Sequence, residues 1–200
     1  MVDTTRTTTA LLEGLFDPAN ELVWLEFDQR YRPIVVAFAR KLGLSDADAA
    51  DVAQETLTQF VKEYGAGKYD RSRSRLRSWL IGIAKYRVAG VYRKRASKRE
   101  ARGQSAIVDM TDEDGLVGVW EAERRAVILR EAMTQLRDKT KTDERTITAF
   151  EMHVVNQMPV AAVAEELGIS VQDVYLAKSR VAARLREILA TIENAYDEGR

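Results

Sequence analysis

Apolar positions recur along the first third of the chain at roughly helical intervals: Leu22, Leu25, Phe27, Tyr31, Val35, Phe38 and Leu42. That spacing predicts a helix opening with Asp17 as N-cap and Pro18 in its first turn. Pro33 is expected to kink or divide it, because proline has no amide hydrogen and crowds the preceding turn. Gly43 ends this helix, and Ser45 with Asp48 three residues on forms a capping-box-like start for the next, Asp46 to about Tyr64. Gly65 and Gly67 close that helix, a basic loop runs from Lys68 to Arg75, and a further helix carries Trp79, Leu80, Ile83 and Val91.

From Ala101 to Gly118 the pattern fades, with Gly103, Gly115, Gly118 and an acidic cluster at Asp112, Glu113 and Asp114. We read this stretch as a linker. Helical spacing resumes at Trp120, Val127, Ile128, Ala132 and Leu136, and again at Ile147, Phe150, Met152, Val154 and Val155. With only three prolines in 200 residues, the expected fold class is all-α: two small helical domains joined by a flexible linker. Residues 1–17 are a variable N-terminal segment, 18–100 the first domain, 101–119 the linker and 120–196 a second, four-helix domain.

Within that second domain, Val160 to Leu189 reads as a helix-turn-helix. Val163, Ala164 and Leu167 mark a short helix, Gly168 a left-handed turn, and Val171 the start of a longer helix. Ala164 is small enough for two helices to cross closely, Ile169 and Val174 plug the space between them, and Ser170 caps the second helix with Asp173 completing the box. If the second helix enters a major groove, Val171, Gln172, Tyr175 and Leu176 lie near base edges. Lys178, Ser179, Arg180 and Arg184 then lie near bases or phosphates. Without DNA, the same residues describe two capped helices packing together with a solvated basic face.

The formal net charge is zero, which taken alone argues against a nucleic-acid ligand, but the mean conceals a strong asymmetry. Residues 1–67 hold 6 basic and 11 acidic side chains, residues 68–102 hold 13 and 2, and residues 103–166 hold 7 and 13. The basic stretch contains Lys68, Arg71, Arg73, Arg75, Arg77, Lys85 and Arg93, interleaved with Tyr69, Trp79, Tyr86 and Tyr92. Cations neutralise phosphates, and aromatic faces beside them suit unstacked bases of single-stranded DNA. Trp79, with Leu80 and Ile83 at helical spacing, is equally readable as core.

Other classes lose support on residue content. No cysteine is present, which removes disulfides, thiolate metal sites and cysteine nucleophiles and points to a reducing, cytoplasmic setting. No apolar run approaches the ~18 residues of a membrane span, and the Thr-rich start lacks the apolar core of a signal peptide. The single histidine, His153, sits between Met152 and Val154 as a core or interface residue. Gly65, Gly67 and Lys68 lack the spacing of a phosphate loop. Neither an enzyme nor a cofactor or metal is expected.

Four segments together resemble the sigma factors of bacterial RNA polymerase, specifically the small extracytoplasmic-function group with two domains. They are FDQRYRPIVVAFARKLGL (Phe27 to Leu44), SDADAADVAQETLTQF (Ser45 to Phe60), RLRSWLIGIAKYRVAGVYRKR (Arg75 to Arg95) and VAAVAEELGISVQDVYLAKSRVAARLREIL (Val160 to Leu189). The resemblance implies a transcription initiation factor whose partners are core RNA polymerase, through its largest-subunit coiled coil and its flap, and promoter DNA. An anti-sigma factor or a kinase would regulate such a protein.

By that resemblance, Asp48, Asp51, Gln54, Glu55, Leu57 and Thr58 dock on the polymerase coiled coil. Lys68, Tyr69, Arg71, Arg73, Arg75, Arg77, Trp79, Lys85, Tyr86 and Arg93 open and hold the minus-ten element. Ser170, Val171, Gln172, Tyr175, Leu176, Lys178, Ser179, Arg180 and Arg184 read the minus-thirty-five element as duplex. The chain departs from the family where Tyr86 and Gly90 replace Asn and Asp, and where Asp173 to Ala177 replace a Thr-Val-Lys-Ser-Arg run. Those changes bear on which promoter is read. The competing reading is a helix-turn-helix regulator acting on duplex DNA without polymerase, usually as a symmetric dimer.

Overall fold

The computed structural model describes residues 6–17, 20–70, 74–100, 113–140 and 142–196, and every regular element among them is helical. The all-α expectation therefore holds. Two compact units divide the chain, one built on Val2–Val127 and the other on Ile128–Ala195.

The first unit contains α1 (Thr8–Gly14), α2 (Glu21–Lys41), α3 (Asp46–Gly65), α4 (Leu76–Glu100) and the first half of α5 (Glu113–Lys139). Its core is made where α2, α3 and α4 meet: Phe27, Ile34, Phe38, Leu57, Phe60 and Leu80 are fully buried. Phe27 stacks on Phe60 at 5.2 Å, and Trp120 of α5 meets Phe38 edge-on at 5.6 Å. Such ring pairs add about 0.5–1.5 kcal/mol beyond area burial.

Three boundaries differ from expectation. Asn20 caps α2, accepting from the Val23 amide at 3.3 Å, so Asp17 is not the N-cap, and Pro18 lies outside the described residues. Pro33 does not divide α2. Pro33 and Gln29, whose carbonyl loses its amide partner, are both exposed, so the helix carries the proline on its solvent side, where a missing hydrogen bond costs least. α5 begins at Glu113 and runs through Gly115 and Gly118, so 113–119 is helix, while 101–112 lies outside the described residues. Residues 120–127 then group with the first unit, and the second begins at Ile128 instead of Trp120.

The N-terminal segment also carries structure. In α1, Leu11 and Leu12 are buried, and Thr8 exchanges a hydrogen bond with the Tyr31 hydroxyl at 2.7 Å. Arg30, fully buried, donates to Glu26 at 3.1 Å and to the Arg6 carbonyl at 2.9 Å. Because this end of α2 is covered in that way, its buried stripe is Val23, Glu26, Phe27 and Arg30, and Leu22 and Leu25 face outward.

The second unit contains the rest of α5, α6 (Glu144–Phe150), a π-helical stretch (Glu151–Val155), α7 (Val160–Leu167) and α8 (Val171–Ala195). Ala149, Val163, Ala164, Val174 and Ala177 form its small core, with Leu167 and Ile169 packed against it. Gly168 takes the left-handed conformation at φ 59°, as the turn requires. Ser170 Oγ accepts from the Asp173 amide at 3.1 Å while Asp173 accepts from Ser170 Oγ at 2.7 Å, closing the anticipated capping box. Val154 and Val155, expected among apolar helix positions, are exposed. The π-helical stretch shifts the register past Phe150 and turns them outward.

Candidate nucleic-acid and protein interfaces

α3 starts with Ser45 accepting from the Asp48 amide at 3.3 Å. Four of the six residues proposed for polymerase docking share one exposed face: Asp51, Gln54, Glu55 and Thr58, at i, i+3, i+4 and i+7. They line a shallow groove with Gln59 of the same helix and Arg87 of α4. Two do not fit that role. Leu57 is fully buried in the core, on the opposite side of α3, and belongs to packing. Asp48 is tied to Ser45 and to Arg95 of α4. The Ser45 hydroxyl, helped by Arg95, holds its carboxyl below the ordinary carboxylate range.

On α4 and the preceding loop, the expected minus-ten residues scatter. Arg71 and Arg73 lie outside the described residues. Tyr69 is buried, edge-on to Phe60 at 5.7 Å and to Trp79 at 5.5 Å, so it supports the core instead of presenting a free face. Arg77 pairs with Glu121 at 2.7 Å. Burial raises the Glu121 carboxyl, but Arg124 and Arg77 outweigh it and hold the group below its usual range. Lys68 and Arg75 are exposed and Lys85 half-buried. Arg93 lies over the exposed Tyr86 ring at 5.4 Å, within cation–π range.

Trp79 combines both readings of it. Its indole N–H donates to Glu63 at 2.8 Å, which fixes the ring, and the half-buried ring also walls an open groove. Trp79, Gly82, Ile83 and Tyr86 sit at i, i+3, i+4 and i+7, so one face of α4 supplies that wall, opposite Gln59 and Glu63. A side chain at Gly82 would meet nothing within 4 Å. Its bareness serves no internal packing and leaves the floor of the groove open.

In the second unit all nine residues expected on the DNA-facing side of α8 are exposed: Ser170, Val171, Gln172, Tyr175, Leu176, Lys178, Ser179, Arg180 and Arg184. The opposite stripe, Val174, Ala177, Val181 and Leu185, is buried. Arg184 pairs with Glu187 at 2.5 Å. His153 is half-buried, its Nδ1 3.0 Å from the Met158 carbonyl, and its ring meets Tyr175 edge-on at 6.3 Å.

Sequence reasoning missed three contributors. Arg87 pairs with Glu55 at 3.3 Å and donates to Gln59 at 3.4 Å, bridging α4 to the exposed face of α3. Its spacing from Trp79 hides nothing, but charge counting does not reveal which cations are partnered. Gly82 was legible through the i, i+3, i+4, i+7 pattern around it. Arg145 of α6 donates to the Leu167 and Gly168 carbonyls and so fixes the end of α7. No local pattern predicts a contact across 22 residues.

Among the described residues, no group of three or more His, Cys, Asp or Glu is placed to hold a metal ion, and no helix is long and apolar enough to cross a membrane. Residues 27–98 match the family described as Sigma-70 region 2, a span taking in most of α2, all of α3 and nearly all of α4. That match supports a sigma factor, with core RNA polymerase and promoter DNA as partners. No curated protein matches the chain.

Proposed function

We propose that the chain is a sigma factor of the extracytoplasmic-function group, a helical adaptor that directs core RNA polymerase to particular promoters and assists their melting. The observation that carries this reading is the match over residues 27–98, which falls on the helix pair whose two surfaces differ in kind. α3 offers carboxylates at Asp51 and Glu55, suited to a basic partner surface such as the polymerase coiled coil. α4 offers the Trp79–Gly82–Tyr86 groove with Arg93 beside it, suited to an unpaired strand. Flipping a base out of the stack costs ~2–4 kcal/mol, which stacking on an aromatic ring and phosphate neutralisation offset.

In the same reading, α7, the turn at Gly168 and α8 form a helix-turn-helix that reads the minus-thirty-five element as duplex. Two weak DNA contacts on one chain act together as a stronger one, so the free protein binds promoters weakly and gains its grip within the polymerase complex. Catalysis and its metal ions belong to the polymerase. Cytoplasmic localisation follows from that partner.

Transcription from genomic fragments of the host tests the reading: core enzyme supplemented with the chain yields promoter-specific transcripts that core alone does not. No such transcript from any fragment refutes it. The docking face is tested separately with Asp51→Arg combined with Glu55→Arg. Both positions are exposed, so the fold persists by circular dichroism, while co-purification with core polymerase is lost. Retained co-purification removes α3 from the interface.

A further inference from the structure

Over the first turns of α8 the outward face is neutral along its centre and cationic at its margins; the next cation on the central line is the exposed Arg186, two turns beyond Ser179. Gln172, Tyr175, Leu176 and Ser179 recur at i, i+3, i+4 and i+7 opposite the buried stripe, and all four are exposed. Lys178 flanks this line on one side and Arg180 and Arg184 on the other. A helix so arranged in a major groove puts its cations toward the two phosphate backbones and leaves base reading to uncharged groups.

What such a stripe reads follows from the groove's chemistry. Guanine is selected mainly by Arg or Lys bidentate to O6 and N7, and the stripe has neither. Cytosine is selected by a carboxylate accepting from N4. Asp173, adjacent to Gln172, already accepts from the Ser170 hydroxyl at 2.7 Å and the Ser170 amide at 3.1 Å. Leu176 and Tyr175 are 42% and 55% exposed, and the apolar group a major groove offers them is the thymine methyl. Tyr175 is held for this by the edge of the His153 ring, itself oriented by the Met158 carbonyl. Gln172 carries the amide that pairs with both N6 and N7 of adenine.

We propose that α8 selects A·T pairs in duplex DNA, with Leu176 and Tyr175 packing against thymine methyl groups and Gln172 reading an adenine edge. The inference rests on reading the second unit as a duplex binder, and it assigns that unit's specificity. Guanine-centred elements are then excluded at the positions under the stripe.

The test is selection from a random duplex library, run once with the full chain alone at low salt and once with the chain plus core polymerase. Both enrich an element with adjacent A·T pairs. Replacing its thymines by uracil, which removes only the methyl, weakens binding about fourfold per position contacted. Gln172→Ala lowers discrimination at one adenine about tenfold without altering the melting temperature. A guanine-centred element, uracil duplexes bound as tightly as thymine ones, enrichment of nothing in either arm, or a face that captures a protein but no duplex overturns the proposal. Enrichment and uracil sensitivity with the chain alone, but no association with polymerase, sinks the sigma-factor reading and leaves the A·T specificity standing.

Discussion

The cations of α4 and those of α8 look alike in sequence and differ in what the protein does with them. On α4, Arg77, Arg87 and Arg95 are turned to Glu121, Glu55 and Asp48 and so join α4 to neighbouring helices of the first unit. On α8 every residue singled out for DNA is exposed, and the one ion pair among the three cations, Arg184 with Glu187, lies within the helix itself. A dense run of basic residues is therefore partly internal scaffolding: among the described residues of α4, Arg77, Arg87 and Arg95 do not belong to one open patch. A sparse basic face opposite a clean apolar stripe is surface throughout. Density detects charge, whereas periodicity detects direction.

The sharpest way to break this contrast is on α3, where buried and exposed positions were grouped together. Leu57→Ala removes a fully buried side chain between α2 and α4, and we expect a loss of about 2–5 kcal/mol in urea unfolding. Asp51→Arg, six residues earlier and exposed, changes the unfolding free energy by no more than about 0.5 kcal/mol. Similar small effects at both positions would return Leu57 to the surface and to the docking set.

Glycines separate the two regions next. Gly168→Ala forces a side chain into a left-handed backbone at φ 59°, and although the nearest atom, of Arg145, is 3.6 Å away, the conformation itself costs about 1–2 kcal/mol. Gly82→Ala goes the other way. It sits inside α4 with open space around it, so alanine stabilises the helix by about 0.5–1 kcal/mol. The added methyl narrows the groove beside Trp79 and Tyr86, and binding of a single-stranded oligonucleotide weakens. Thermal melting paired with fluorescence anisotropy checks both directions at once, and a Gly82→Ala protein that is more stable and binds equally well removes the groove from strand binding.

Local rules made much of the fold legible. Both Ser-x-x-Asp caps, the turn at Gly168 and the plugs at Ile169 and Val174 follow from residues within a few positions of one another, and the structure reproduces them. What escaped depends on contacts between distant residues. α1 is too short to stand out by periodicity and is held by Thr8 on Tyr31 and by Arg30 on the Arg6 carbonyl. The Asn20 cap, the outward Leu22 and Leu25 and the buried Tyr69 all follow from what covers them. The same division governs the candidate sites: α8 was readable because its spacing fixes which side faces out, while Arg87 and Arg77 needed their acidic partners to be located.

The smallest effect distinguishes caps from ion pairs through pH. Asp48 and Asp173 both have carboxyl pKa values lowered from 3.8, in each case first by the hydroxyl of the serine at the helix N-cap, with Arg95 contributing at Asp48 and the Ser170 amide at Asp173. A carboxylate whose folded pKa is depressed contributes stability above its unfolded value, and that contribution is lost as pH falls through the folded one. Melting temperature should thus hold level above about pH 4 and decline below it. Ser45→Ala removes the main cause at Asp48 but keeps Arg95, whereas Ser170→Ala keeps the amide of residue 170 and the charge of Arg180 at Asp173. Each serine variant should melt lower than the parent at neutral pH and show a shallower decline in acid, because less of its carboxylate stabilisation remains to be lost. A parallel acid decline in parent and variants would place the titration elsewhere, with Glu121, whose carboxyl, despite burial, Arg124 and Arg77 hold below its usual range, and would make its pair with Arg77 of α4, not the caps, the acid-sensitive joint.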